Sequence, residues 1–508
     1  MKFLLLSLIA VALLLASVNG AAFPGFGGGC WWTGCQSEVH LTNYVCPANV
    51  RRTFVDRTII VATNFDLALG AKILSVSFVS TKSHYLTYEA LLLELAERGH
   101  EVTIANSIKS SKEVKNVRRI YTYDSDIMLK GISPKTYKAK ETTSKFWSHF
   151  NVPFMTYYSM WEEACKASYK MEAIQKLRKE KFDLIIFPPL WNDCAYGLIH
   201  ELNTSVILYN QMAIMPWVSS SMGSPSLPSF VPMMYYNFPD NMTFFERVGN
   251  FFGTVFYHVV KTYYYEPGME KVYREGLGNP NLPSIKDIEK NASLALVNSN
   301  INFVPPRPLT PDIIEVGGLY LRDAEPLPKD LQAFCDGAGN DGIILLSFGS
   351  ILKVSAMPLK TRVPMVGIPM FGEQQWNIEQ AALKGYAVSL SYQELSEEKL
   401  SKAIEDVLYK AEYRQKANFA AQLYRDQLES PLDRAVYWVE YVLRYQGATH
   451  LRSVGRDLSF IQYYSLDVIS FFIGILALAA VIIALALRAF LRLVLGSSKN
   501  KKLKKKTQ

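Results

Sequence analysis

The chain has 508 residues, 49% of them hydrophobic and 20% charged, which is too long and too apolar for a disordered tail or a disulfide-stapled miniprotein. Its formal charge of +8 equals the basic residues from Arg488 onward: Arg488, Arg492, Lys499, Lys501, Lys502, Lys504, Lys505 and Lys506, with no acid among them. The rest of the chain is therefore charge-balanced, which argues against a nucleic-acid-binding face on the folded body.

Met1 and Lys2 precede an apolar run from Phe3 to Ala16 and small residues from Ser17 to Ala22, the three-part build of a secretory signal peptide (residues 1–20). Residues 21–70 are an atypical Gly- and Cys-containing insert. Cys30, Cys35, His40 and Cys46 could be drawn as a zinc cluster, but their spacing matches no standard finger. A loosely ordered segment with one disulfide is the preferred reading, and no metal is expected. Cys165, Cys194 and Cys335 complete the six cysteines; spacing does not give their pairing.

From Ala71 the pattern becomes regular. Lys72 to Phe78 reads as an apolar strand, Tyr88 to Arg98 as a helix stopped by Gly99, and Glu101 to Ile104 as a strand. A strand over Phe182 to Phe187, a helix over Cys194 to Leu202 and a strand over Ser205 to Tyr209 follow. Strands alternating with helices predict a parallel sheet covered on both faces. Aromatic and Met residues crowd positions 151–269; most belong to the core, and some are expected to line an apolar ligand cavity or touch lipid.

Pro305, Pro306, Pro308, Pro311, Pro326 and Pro328 mark an interdomain linker (residues 304–340). A second set of elements follows: strands at Gly342 to Ser347 and Pro364 to Pro369, then helices from about Gln375 to Lys384, Ser396 to Leu408 and Pro431 to Tyr445. Val468 to Leu487 carries no charge and is long enough to cross about 30 Å of hydrocarbon. With the basic tail (residues 489–508) cytosolic and the body lumenal, this predicts a single-pass type I protein with its membrane helix at 466–488. Lys505 and Lys506 fit a dilysine signal for return to the endoplasmic reticulum; the competing reading is a basic tail meeting anionic lipid. Asn203, Asn241 and Asn291 open N-glycosylation sequons on the lumenal side.

Neither an HExxH metal signature nor a GxSxG elbow, a P-loop or a GxGxxG after the first strand is present. What stands after that strand is Ser83 and His84, where a parallel sheet presents its strand ends to ligands. An imidazole there is either a general base for a hydroxyl nucleophile or a histidine satisfied by a loop carbonyl.

The run Ala71-Lys72-Ile73-Leu74, then Ser83-His84, then Glu94 to Thr103 resembles the opening of the membrane-bound UDP-glycosyltransferases, the UDP-glucuronosyl and UDP-glucosyltransferase family. Phe244 to Arg247, Arg307-Pro308, Val316 to Leu319, Leu346 to Ser350, Val363 to Gln374, and Ser430 to Asp433 through Gly447 to Ser453 are similar to its landmarks in order. The resemblance implies an α/β protein of the GT-B type with two Rossmann-like domains. The acceptor domain would span 71–303 and the UDP-sugar domain 341–465. It implies inverting transfer of glucose or glucuronic acid from a UDP-sugar to hydroxyls of small lipophilic acceptors. No cofactor or metal is implied; membrane lipid is a further partner, nucleic acid is not, and self- or hetero-association is left open. By that resemblance His84 is the base, and Ser347, Ser350, Glu373, Gln374 and Asn377 face the donor.

Three departures from the family accompany this. The strand that delivers the family's aspartate ends at Pro188, so Asp193 is the substitute acid or else the N-cap of the following helix. Glu373 replaces the usual aspartate beside Gln374, one methylene longer and still able to accept from sugar hydroxyls. Only Ile351 to Arg362 separate Ser350 from Val363, where the family carries several tens more residues holding uracil, ribose and diphosphate. The second domain is therefore expected to be truncated, with phosphate donors lost and a sheet edge opened. A catalytically silent relative that binds lipophilic ligands or partners, or an incomplete gene model of an active enzyme, would carry the same sequence.

Overall fold

The computed structural model describes residues 70–110, 113–123, 155, 157–224, 226–233, 238–300, 302–304, 306–321, 326–339, 343–345, 363–369 and 374–504. The signal peptide, the 21–69 insert with Cys30, Cys35, His40 and Cys46, and the 351–362 junction lie outside them.

β1 (Lys72–Val76), α1 (Lys82–Glu97), β2 (Glu101–Asn106) and β3 (Val117–Tyr121) open the fold. α2 (Tyr158–Lys170), α3 (Glu172–Leu177), β4 (Leu184–Phe187), α4 (Tyr196–Leu202) and β5 (Ser205–Asn210) follow. Next come α5 (Pro216–Ser221), α6 (Phe244–Val260), α7 (Glu266–Leu277), α8 (Ile285–Glu289), β6 (Leu294–Val297) and β7 (Ile313–Glu315). The seven strands form one sheet in the order 3-2-1-4-5-6-7, every described pairing parallel. The chain runs outward from β1 to β3 and then returns to lay β4 on the other side of β1. That reversal opens a crevice at the carboxyl ends of β1 and β4.

Successive strand residues go to opposite faces. Leu74, Val76, Ile185, Phe187, Leu208, Ala295 and Val297 join one buried core with α2, α4 and α7. Ile73, Leu184, Ile186, Ile207, Tyr209, Leu294 and Leu296 join the other with α1. The near-continuous apolar strands predicted from sequence are those of a sheet covered on both sides.

Several elements differ from expectation. α1 begins at Lys82, not Tyr88, because Thr81 caps it, its hydroxyl accepting from the His84 amide at 3.3 Å. The Pro-rich linker contains β7, which pairs Ile313 with Ala295; a three-residue strand leaves too short a pattern to read. Of the strand expected at Gly342 to Ser347, residues 343–345 are described and carry no strand pairing.

The second set of elements comprises α9 (Lys329–Gly337), β8 (Met365–Gly367), α10 (Gln374–Leu383), β9 (Ala387–Ser389), α11 (Glu397–Tyr409), α12 (Ala411–Arg425) and α13 (Pro431–Arg444). β8 and β9 pair in parallel as a two-stranded sheet whose residues are mostly half-buried. Its small core joins Ala381, Tyr386, Ala387, Ala417 and Ala420. Gly318, at φ +90°, lies so close to the Tyr424 hydroxyl of α12 that a β-carbon would collide with it. The expected border at 341 is crossed: Ala435, Val436, Val439 and Val442 of α13 belong to the core beneath α1.

α14 (Phe460–Tyr463) and α15 (Leu466–Lys504) end the chain. Leu466–Leu493 is long and apolar enough to cross a membrane. Just before it, Arg456 is buried against Asp312 and donates to the carbonyls of Lys290 and Ala292 at 3.0 and 2.7 Å.

Candidate active site

His84 sits in the first turn of α1, where the Thr81 cap fixes its backbone and the Thr87 hydroxyl donates to its carbonyl at 2.6 Å. It is 9% exposed, so the imidazole lies in the crevice beside β1 and not on the open surface. Its ring is 5.4 Å from that of Trp191, at 48°.

Trp191 follows β4 and has φ +62°, a left-handed conformation costly for a bulky residue. Two neighbours hold it there. Its indole stacks on Trp161 of α2 at 5.1 Å and 22°. Asn192, 1% exposed, ties its backbone down: the side-chain oxygen accepts from the Val79 amide at 2.8 Å, and the side-chain nitrogen donates to the carbonyls of Val79, Pro188 and Leu190 at 2.9 to 3.1 Å. The loops after β1 and β4 are thereby locked together, one leading into the first turn of α1 with His84 and the other carrying Trp191. Sequence reasoning missed Trp191 and Asn192; the signal available was a polar residue, Asn192, between an apolar strand and a helix, which alone does not distinguish a clamp from a cap.

Asp193 does not take either role expected of it. Its carboxylate accepts from the Lys261 ammonium at 3.3 Å and from the Tyr265 hydroxyl at 2.9 Å, and it caps no helix. The group is 4% exposed, and a carboxylate buried that deeply goes to the nearest cation; Lys261 supplies one from a π-helical turn between α6 and α7. Lys261 also pairs with Glu266 at 2.5 Å and lies 5.6 Å over the Trp217 ring. Close by, Glu289 accepts from the Tyr196 and Ser221 hydroxyls at 2.7 and 2.6 Å. Burial pushes the Asp193 carboxyl above its ordinary range against the pull of Lys261, and does the same to Glu289. Burial alone would lower Lys261, but Asp193, Glu266 and Glu289 together hold it above the usual lysine value. The cluster is thus a buried polar brace behind the crevice wall. The Cys165–Cys194 disulfide, both sulfurs fully buried, fastens α2 to the turn carrying Asp193.

Of the residues expected at the donor, Ser347, Ser350 and Glu373 lie outside the described residues. Gln374 begins α10 half-buried, and Asn377 is exposed one turn on. Asn203, Asn241 and Asn291 are all exposed, as an acceptor asparagine must be.

A family model described as UDP-glucoronosyl and UDP-glucosyl transferase matches residues 71–362 and again 357–502. The two matches meet at the Met357 to Arg362 junction, so the family pattern breaks off and resumes there. UDP-glucosyltransferase 2 of Dactylopius coccus is 29% identical over 504 positions, covering 86% of this chain and 96% of the relative. UDP-glucuronosyltransferase 2B15 of Homo sapiens is 28% identical, covering 79% and 90%. An alignment of 504 positions that uses 86% of a 508-residue chain runs past residues the relative has and this chain lacks. Among solved structures, the glycosyltransferase VinC in complex with DTDP aligns over 74% of this chain and 99% of its own, at 12% identity and a TM-score of 0.47.

Proposed function

The chain belongs to the UDP-glucuronosyl and UDP-glucosyl transferase family, and from that premise we propose that it moves glucose or glucuronic acid from a UDP-sugar to a hydroxyl of a small lipophilic acceptor, with inversion. The observation that carries this reading is His84, buried at the crevice beside Trp191, which in turn stacks on Trp161. The acceptor oxygen forms its bond to the anomeric carbon as His84 takes the hydroxyl proton. The bond from that carbon to the diphosphate oxygen breaks, and UDP leaves with the electron pair. Trp191, its ring 5.4 Å from that of His84, lies within cation–π range of the imidazolium that forms. Aromatic walls suit an apolar acceptor. Ser347, Ser350, Glu373, Gln374 and Asn377 would hold the donor. The body would stand in the lumen of the endoplasmic reticulum, glycosylated at Asn203, Asn241 and Asn291, with Leu466–Leu493 as its membrane anchor.

A second reading is favoured by the break in the family pattern at 357–362 and the half-buried two-stranded sheet beyond it: a silent relative that keeps the acceptor crevice without a working donor site. Calorimetry of the full chain with UDP and UDP-sugars separates the two. Saturable binding supports the transferase; a folded chain that takes up no UDP is the silent relative. If sequencing the transcript reveals an intact segment between 350 and 363, the locus encodes the enzyme.

A further inference from the structure

α6 carries its apolar side outward. Phe244, Phe245, Phe251, Phe252, Val255 and Val259 are between 44 and 81% exposed. At 100° per residue they fall within an arc of about 120° on one side of the helix. Asn250, Gly253 and Tyr257 make the opposite, buried side. A patch of this size and character on a folded body marks a place where another apolar phase belongs.

What that phase is follows from how α6 is mounted. Its buried side rests on the segment 217–233: Tyr257 stacks on Trp217 at 5.5 Å, and Asn250 donates to the carbonyls of Pro228 and Val231 while accepting from the Met233 amide. The same segment receives the root of the apolar C-terminal helix. Arg456 reaches the Met222 sulfur at 3.4 Å, the Tyr463 hydroxyl donates to the Gly223 carbonyl at 3.5 Å, and a β-carbon on Gly223 would come within 2.8 Å of the Arg456 nitrogen. From Tyr463 to Leu466 is three residues, a reach of about 10 Å at most. Trp217 and Gly223 are six residues apart, about 9 Å along a helical path. The aromatic face and the root of the apolar C-terminal helix thus both rest on one short stretch of chain.

We propose that the exposed face of α6 is a second membrane contact: the helix lies in the plane of the lipid headgroups with Phe245 and Phe252 among the acyl chains. This rests on reading Leu466–Leu493 as the membrane anchor. Together the two contacts hold the body in one orientation on the bilayer instead of letting it swing from a single tether.

The test uses the full chain in phosphatidylcholine nanodiscs, with the photo-crosslinker p-benzoylphenylalanine placed singly at four positions: Phe245 or Phe252 in the patch, Phe472 in the anchor, and Tyr409, which is 81% exposed outside the patch. Each variant is first required to keep the parent unfolding temperature. The expected result is lipid adducts at 472 and at both patch positions, the latter at least about tenfold above Tyr409. Adducts at 472 with none at 245 and 252 would leave the anchor standing and overturn the proposal. Absence of adducts at 472 as well would overturn the anchor reading itself. Crosslinks from 252 to a second copy, to another segment of the same chain or to a copurifying protein would assign the face to that occupant and exclude lipid.

Discussion

Asn192 holds Val79 by both of its backbone groups, accepting from the amide at 2.8 Å and donating to the carbonyl at 2.9 Å, across 113 positions of chain. It is a hydrogen-bonded splice between the loop that leads to His84 and the loop that carries Trp191. The geometry of the crevice depends on this amide more than on the charged residue beside it.

Replacing Asn192 with alanine leaves the Val79 amide and three carbonyls without their partner in a buried site, a loss of about 1–3 kcal/mol. Asn192→Asp keeps the acceptor for Val79 but turns a negative oxygen toward the carbonyls of Val79, Pro188 and Leu190, and is expected to be worse than alanine. Thermal unfolding of the two variants gives the order, and Asp milder than Ala would contradict the splice.

Removing the ammonium by Lys261→Met strands Asp193, Glu266 and Glu289 without their shared cation, a cost of about 3–5 kcal/mol near neutral pH. Burial already raises Asp193 and Glu289, so the folded state binds those protons more tightly than the unfolded chain. Stability from these groups is present in acid and is lost as pH climbs from about 4 through the raised values. Without Lys261 the raised values move higher still and the loss steepens. The deficit of the variant against the parent should therefore shrink between pH 8 and pH 5; a deficit independent of pH would mean that Lys261 matters only by packing.

The Cys165–Cys194 bridge spans 29 residues, and opening it should cost roughly 3–4 kcal/mol on the chain-entropy account. Both sulfurs are fully buried, so a mild reductant is expected to leave the native protein untouched and to act only as it unfolds. Mass-spectrometric thiol counts before and across the thermal transition check this, and rapid labelling of Cys165 in the cold would refute it.

His84→Ala should lower turnover by about 100-fold or more while acceptor affinity changes little, because the imidazole moves a proton and the aromatic walls bind. Trp191→Ala should do the reverse in part, weakening acceptor binding and lowering turnover together. Titration with an acceptor, read by tryptophan fluorescence for the His84 variant, separates binding from chemistry.

Much of this was legible in the sequence where pattern and physics coincide. The strands at Lys72, Glu101, Phe182 and Ser205 are apolar runs bounded by turn residues, and a sheet buried on both faces has to look like that. His84 stood out because it follows the first strand. Asp193 was misread because sequence shows that an acid is near but not which cation lies across the fold: Lys261 is 68 positions away, in a π-helical turn that follows a helix whose apolar side faces outward. β7 stayed hidden inside a proline-rich stretch, and α13 was assigned to the wrong side of the linker because position along the chain does not fix which core a helix joins.

That last helix sets a schedule. Leu91 and Val439 share a core, yet roughly 350 residues separate them, about 20–70 s of synthesis at ordinary rates. Through that interval this side of the growing sheet has α1 over it but lacks the cover that α13 supplies. The seven-stranded unit can close only when nearly the whole chain has been made, so a premature stop between Glu315 and Pro431 removes the finishing piece from a sheet whose seven strands are all present.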